Sequence, residues 1–341
     1  MKKHNKGIIG ALLATCMVAG LALGGCGGIK TSETVASMGD KKITYGMANF
    51  VLRIQQAQYD TYRSMMGDDM WNQDMSGSGQ TLADTTKQGV MDSFKEMLAL
   101  DARASEYNIS INEEETDKMK AAAKSFMEKN AGAVKGYLAT TEEDVVEVLR
   151  LYTIQAKMKA EITKDVDHNV SDEEALHKKI SYSRVDLKEN DASGASVAVS
   201  DDKKAELKAS MEKLLADCKA GKDMKELSDE IKATSMEYSY GKDDENLQAE
   251  VVKEADKLKN GEYSGLIETE DYIYIVRMED TFDKEETDKA KKTIVQKRID
   301  EKFAEVVKGW VDEATLEIND SVWSKVTFDK TLALTTEQKG E

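Results

Sequence analysis

Two apolar periods in one chain constrain this fold more than any other feature of the sequence. Towards both ends the apolar residues recur every three to five positions, as amphipathic helices require, whereas part of the middle alternates as strands do. On the N-terminal side Val90, Phe94, Met97 and Leu98 fall on one helical face, and Val145, Val148, Leu149, Tyr152 and Met158 on another. On the C-terminal side Ile294, Ile299, Phe303, Val306, Trp310 and Ala314 do the same over residues 284–316. Most of a helix's stability comes from packing its apolar face, so both sets need partners, and they are expected to pack on each other. The predicted fold class is α+β: a mostly helical domain split between the chain ends, with a small strand-bearing α/β domain inserted into it.

Cap chemistry places the helices. Thr44 opens a stretch over residues 43–62 without breakers, and a second helix is expected over 82–107. Asn112 precedes Glu113, Glu114 and Glu115, and Thr140 or Thr141 precedes Glu142, Glu143 and Asp144. Acids in a first turn are partners of the helix dipole, which is the reading given to these groups in place of acid/base dyads. Residues 171–174 read as the start of one more short helix. A strand then follows over 180–187, a polar loop over 189–200, and a helix whose face is Leu207, Met211, Leu214, Leu215 and Cys218. Gly221 ends that helix. A short helix over 224–231, a strand over 236–240, a helix over 247–258 and a hairpin of 263–267 with 272–278 complete the middle.

The first 26 residues carry an export signal. Lys2, Lys3 and Lys6 precede an uncharged apolar run from Ile8 to Leu23, which closes on Leu23-Gly24-Gly25-Cys26. The run is shorter than the roughly 20 residues that span a bilayer, and its small-residue end reads as a processing site. The last four residues resemble a bacterial lipobox. That resemblance implies a signal peptide over 1–25 and a lipid anchor on Cys26 that holds the chain to the bilayer on the outer face of the cytoplasmic membrane; an uncleaved membrane helix is the alternative. Residues 26–34 read as a tether. Removing the three lysines of residues 1–25 takes the formal charge from −17 to −20. So acidic a chain has no basic face for nucleic acid.

Other chemistry finds no support. Three histidines (His4, His168, His177) show no metal spacing, no glycine-rich nucleotide loop appears, and no cofactor or metal is expected. After processing, Cys218 would be the one unmodified thiol, a buried one by its helical position. There is no proline in 341 residues, where an average near 5% predicts about 17. A loop over 65–81 carries Met65, Met66, Met70, Trp71 and Met75; methionine is soft enough for promiscuous contact. The first four are candidate client-binding residues, with burial against the helical core the alternative.

Short motifs in order give a family resemblance. Val35-Ala36 with Gly39-Asp40-Lys41-Lys42-Ile43-Thr44, then the run from Tyr107 to Glu115, then the run from Asn169 to Glu174, resemble successive signatures of the PrsA and SurA type of extracytoplasmic foldases. In the middle, Ala220-Gly221-Lys222-Asp223-Met224-Lys225-Glu226-Leu227 and Leu258-Lys259-Asn260-Gly261-Glu262-Tyr263-Ser264 resemble parvulin-type peptidyl-prolyl isomerases. The resemblance implies a helical chaperone domain over 35–175 completed by 282–328, a parvulin-like domain over 176–281 and a tail over 329–341. It also implies unfolded or newly exported polypeptides as partners, with a Gram-positive host favoured.

Parvulins usually place one histidine on the first strand of this domain and one on the last. Here the first place falls to Ser183 or Arg184 and the second to Tyr274, and the Gly-Gly-Asp-Leu-Gly-Trp stretch is absent. The resemblance therefore implies a degenerate isomerase, kept as scaffold or peptide-binding surface. An active isomerase, and a binding or structural lipoprotein without chaperone activity, remain as alternatives.

Overall fold

The computed structural model describes residues 29–131 and 137–330. The export run and Cys26 lie outside them. Among the described residues no helix is long and apolar enough to cross a membrane. The chain divides into two compact units, Met1–Val166 with Glu301–Glu341, and Asp167–Asp300. The sheet-bearing unit is therefore inserted into the helical one, as the two apolar periods demand.

The helical unit starts with two short antiparallel strands, β1 (Thr34–Met38) and β2 (Lys41–Thr44). Its helices are α1 (Tyr45–Asp60), α2 (Leu82–Arg103), α3 (Glu113–Lys129) and α4 (Glu142–Ile162). Thr44, Thr81, Asn112 and Thr141 each accept a hydrogen bond from a first-turn backbone N–H, and the last three form reciprocal capping boxes with Asp84, Glu115 and Asp144. The core joins Phe50, Leu52, Phe94, Met97, Met119, Val148 and Leu151 to Val322, Trp323, Val326 and Phe328 from the far end of the chain. A second strip packs Leu100, Ile154 and Met158 against Phe303, Val307 and Trp310. The last strand, Glu317–Ile318, pairs with β1. Both chain ends thus share one apolar interior.

The C-terminal stretch departs from the expected helix over 282–328. Helix α8 (Lys284–Glu313), which runs through the division between the units, is followed by that short strand, a single turn Asp320–Trp323 and an irregular strap up to Lys330. Side chains of the helices hold the strap by its backbone: Arg53 Nη1 donates to Thr327 O (2.8 Å), Lys87 Nζ to Val326 O (3.1 Å) and Gln56 Nε2 to Lys330 O (2.6 Å). Hydrogen bonds to main-chain carbonyls leave no trace in side-chain periodicity.

In the inserted unit a four-stranded antiparallel sheet has the order β6–β3–β8–β7, with β3 His177–Asp186, β6 Thr234–Gly241, β7 Ile267–Glu268 and β8 Tyr272–Asp280. One face carries α5 (Asp201–Lys219) and α6 (Met224–Glu230), packed through Met211, Leu214, Cys218 and Met224 on Val185, Ile273 and Ile275. The other face carries α7 (Ala249–Ala255), packed through Leu247, Val251 and Ala255 on Ile180, Tyr240, Val276 and Met278.

Two local expectations fail here. Ser171 accepts from the Glu174 N–H at 3.1 Å but closes only a turn, because the chain passes straight into β3. The polar loop over 189–200 contains a small hairpin, β4 (Lys188–Asn190) with β5 (Ser196–Ala198). Asp191 Oδ1 gathers the Ser193 and Ala195 N–H groups, and Gly194 takes φ +85°. That is a side-chain-nucleated turn, whose strands lack the apolar alternation that would reveal them.

Cys218 is buried, and burial pushes its thiol up from the ordinary value. With Cys16 and Cys26 replaced by Ser, native protein is expected to leave a thiol reagent unreacted at pH 8 until urea unfolds it, since the thiolate is the nucleophile. Rapid labelling without denaturant would show an open face on α5.

Candidate functional site

Strand parity decides which side chains can meet. Residues 178, 180, 182 and 184 of β3 share a face, and their cross-strand partners are Tyr240, Tyr238, Met236 and Thr234 on β6. On β8, Tyr274 stands opposite Arg184, Val276 opposite Tyr182 and Met278 opposite Ile180. Helix α7 covers one end of this face. At the other end Tyr182 and Tyr274 continue the same core, and Arg184, Met236, Tyr238 and Tyr272 form its partly open rim.

The rings pack edge to face, Tyr182 on Tyr274 at 5.7 Å between centroids and Tyr272 on Tyr274 at 5.6 Å, a geometry that aromatic quadrupoles favour. The Arg184 guanidinium lies over the Tyr272 ring, 4.2 Å from its centroid. Its Nη1 donates to Tyr274 Oη over a long 3.4 Å, and its buried Nε has no partner. Tyr182 and Tyr274 are buried, Arg184 and Tyr272 half-buried, and Met236 is 49% exposed at the rim. Tyr238 donates to Asp244 Oδ2 (2.7 Å) and Tyr182 to Met236 Sδ (3.3 Å). Burial pushes the Tyr274 phenol above its usual value, although the Arg184 cation pulls the other way. Tyr274 therefore stays a neutral O–H donor at physiological pH.

Of the three residues placed by resemblance, the structure brings Arg184 and Tyr274 together and leaves Ser183 out. Ser183 faces α6, fully buried, and accepts from Ser228 Oγ at 2.8 Å. It belongs to the packing on that side and is corrected from the candidate pocket. Tyr182 takes its place, missed by the sequence reading together with Tyr238 and Tyr272. The pairs Tyr238/Tyr240 and Tyr272/Tyr274 carry the signal that could have found them, tyrosine at a spacing of two. His177 also departs from expectation. The first strand starts early enough to include it, but its ring lies against the Gly241 backbone with Nδ1 2.9 Å from Ala175 O. Among the described residues no histidine stands on the tyrosine face.

The methionine-rich loop divides. Met65 is 84% exposed and Met66 half-buried against the core, and Met75 is exposed. Met70 and Trp71 are corrected from the client-binding candidates, for both are core residues. The Trp71 indole N–H donates to Asp60 Oδ1 at 2.9 Å, and its ring stacks on Phe328 at 4.2 Å. The buried acceptor for the indole fixes the ring inward. Among the described residues no group of His, Cys, Asp and Glu is placed to hold a metal ion.

Comparison with known proteins gives two matches to family models. Residues 1–140 match the SurA-like N-terminal domain, and residues 193–292 match the PPIC-type peptidyl-prolyl isomerase domain. No curated protein matches the chain. Among solved structures, the foldase protein PrsA of Lactococcus lactis is 16% identical, with 86% of this chain and 97% of that one covered and a TM-score of 0.32. PrsA of Streptococcus pneumoniae is 16% identical over 74% of this chain and 96% of that one (TM-score 0.30). The peptidylprolyl isomerase PrsA of Bacillus cereus is 16% identical over 72% and 90% (TM-score 0.30).

Proposed function

We propose, for a chain that belongs to the PrsA/SurA type of foldases by its SurA-like N-terminal domain and PPIC-type isomerase domain, that it is a folding helper for exported polypeptides whose isomerase-type sheet binds peptide without full isomerase activity. One observation carries this reading: the face where the family resemblance calls for two imidazoles holds Tyr182, Arg184 and Tyr274 instead. Catalysis of prolyl rotation must lower a barrier of about 18–20 kcal/mol. A hydrogen-bonded imidazole pair is what the resemblance supplies for that task, and phenols and a guanidinium do not reproduce it. What the face retains is aromatic surface with donors between the rings, which suits peptide binding. The lipobox-like end of the apolar run supports an anchor at Cys26 on the outer face of the cytoplasmic membrane. Of the four client-binding candidates, the exposed Met65 and the half-buried Met66 are accessible to clients, and the exposed Met75 lies in the same loop.

Two assays on the same preparation test the reading. Aggregation of a denatured client on dilution is expected to be suppressed at near-stoichiometric chain. A protease-coupled prolyl-peptide assay is expected to run at the uncatalysed rate. Isomerisation accelerated in proportion to enzyme would replace this reading with an active isomerase. Unchanged aggregation would leave a lipoprotein without chaperone activity.

A further inference from the structure

The chain has seven arginines, and the structure treats one of them unlike the rest. Arg63, Arg103, Arg150, Arg277 and Arg298 each form an ion pair with a carboxylate. Arg53 is buried and uses its donors on Asn49 Oδ1, Gln56 Oε1, Tyr137 Oη and Thr327 O, at 2.7–3.1 Å. Among the described residues Arg184 has no carboxylate within 4.0 Å, in a sequence with 65 acidic side chains against 48 basic ones. Its strongest electrostatic neighbours are Tyr274, Tyr272 and Tyr182.

Donors are left over around Arg184. Arg184 Nε has no partner and Nη1 has only the 3.4 Å contact; in that contact the Tyr274 oxygen accepts, so its own hydrogen remains to be given. Tyr238 and Tyr182 give their hydroxyl hydrogens to Asp244 and Met236, and among the described residues neither oxygen accepts a hydrogen bond from Arg184. A half-buried guanidinium that lies over an aromatic ring and has donors to spare is held ready for a planar, bidentate acceptor. The rings beside it would cover the apolar part of the same ligand.

We infer that Arg184, with the Tyr274 hydroxyl, forms a carboxylate-binding subsite on the tyrosine face, which takes a peptide segment carrying an acidic group. This rests on the reading of that face as a peptide site and adds a preference to it. The carboxylate can come from an Asp or Glu side chain or from a peptide C-terminus; the chemistry at Arg184 is the same. The acidity of the rest of the chain does not oppose this at contact range, because at 0.15 M salt charges are screened beyond about 8 Å.

The test uses the full chain in lipid nanodiscs and four fluorescent peptides of one aromatic-rich sequence, with a central Asp or Asn and a free or amidated C-terminus. A charge-assisted pair of this exposure is expected to favour the acidic peptide by about tenfold in Kd. If Asp→Asn removes the gain, the ligand is the side chain; if amidation removes it, the ligand is the terminus; either result supports the subsite. Arg184→Gln is expected to bring the ratio to one and Arg184→Lys to keep part of it. Tyr274→Phe, which preserves the ring stacking, should lower the ratio about twofold to threefold and serves should Arg184→Gln fail to fold. Equal binding of all four peptides by the wild-type chain, or a ratio untouched by both Arg184→Gln and Tyr274→Phe, overturns the subsite and leaves the peptide site standing. Absence of binding by every peptide overturns both.

Discussion

Arg53→Met is expected to destabilise the helical unit by about 3–5 kcal/mol, from buried acceptors left without a donor, read as a fall in the urea midpoint followed by tryptophan fluorescence. Arg53 is 4% exposed and reaches out from the middle of α1. Its guanidinium donates to two side-chain amides of its own helix, Asn49 and Gln56, to Tyr137 and to the strap carbonyl of Thr327. It also lies 3.9 Å from the Tyr137 ring centroid and 5.6 Å from that of Phe328. Burial costs the cation, and its proton affinity is pulled below the usual arginine value for that reason. The sign of the mutation is nevertheless destabilising. Met fills the volume and removes the cost of the buried charge, but it leaves acceptors on three separate segments without donors, each at about 1–3 kcal/mol. Arg53→Lys is expected to fall between, because an ammonium can keep some of the bonds gathered at Nη1 but loses the separate Nε bond to Asn49 Oδ1. A midpoint change equivalent to less than about 1 kcal/mol for Arg53→Met would mean that the strap is held by its apolar side chains and by the Lys87 and Gln56 hydrogen bonds, without need of Arg53.

The strap also marks the limit of what sequence can show. Helix caps were legible because Thr44, Asn112 and the threonine before Glu142 act within three residues of themselves, and the split core was legible because apolar period survives any tertiary arrangement. The sheet face was legible only up to its phase. Alternation says that Ser183 and Arg184 point opposite ways, but which of them meets Tyr274 depends on which side α5 and α6 cover, and that is set by strand order. The resemblance to parvulins located the positions to within a residue or two, and a one-residue shift exchanges faces completely. For that reason Tyr182 escaped and Ser183 was included. Met70 and Trp71 were misplaced for another reason. Their neighbours in sequence are glycine, serine and aspartate, whose loop character says nothing of a single turn, Met70–Asn72, folded inward onto Asp60 and Phe328.

A second large effect is expected where two helix starts meet on one carboxylate. Asp144 Oδ2 accepts from the Thr141 N–H (3.0 Å) and hydroxyl (2.8 Å) and so caps α4, while Oδ1 accepts from the Thr44 hydroxyl at 2.5 Å. Thr44 Oγ1 in turn accepts from the Met47 N–H at the start of α1. One acid thus serves the positive ends of two helices. The approach is possible because residue 46 is glycine: a Cβ there would lie 2.0 Å from Asp144 Oδ2 and 2.6 Å from its Cγ. Gly46→Ala must therefore displace the carboxylate and is expected to cost about 1–4 kcal/mol, the sum of two weakened helix starts at about 0.5–2 kcal/mol each. Asp144→Ala is expected to cost a similar amount. The two effects are not independent. With the carboxylate already gone, the methyl at 46 meets no obstacle, and Ala in place of Gly inside a helix gains up to about 1 kcal/mol. Gly46→Ala on the Asp144→Ala background should then be neutral or stabilising, so the pair shows a coupling of about 1–3 kcal/mol in a double-mutant cycle. Additive losses in that cycle would show that Gly46 is required by the backbone itself, and that the close approach of Asp144 is incidental to joining α1 with α4.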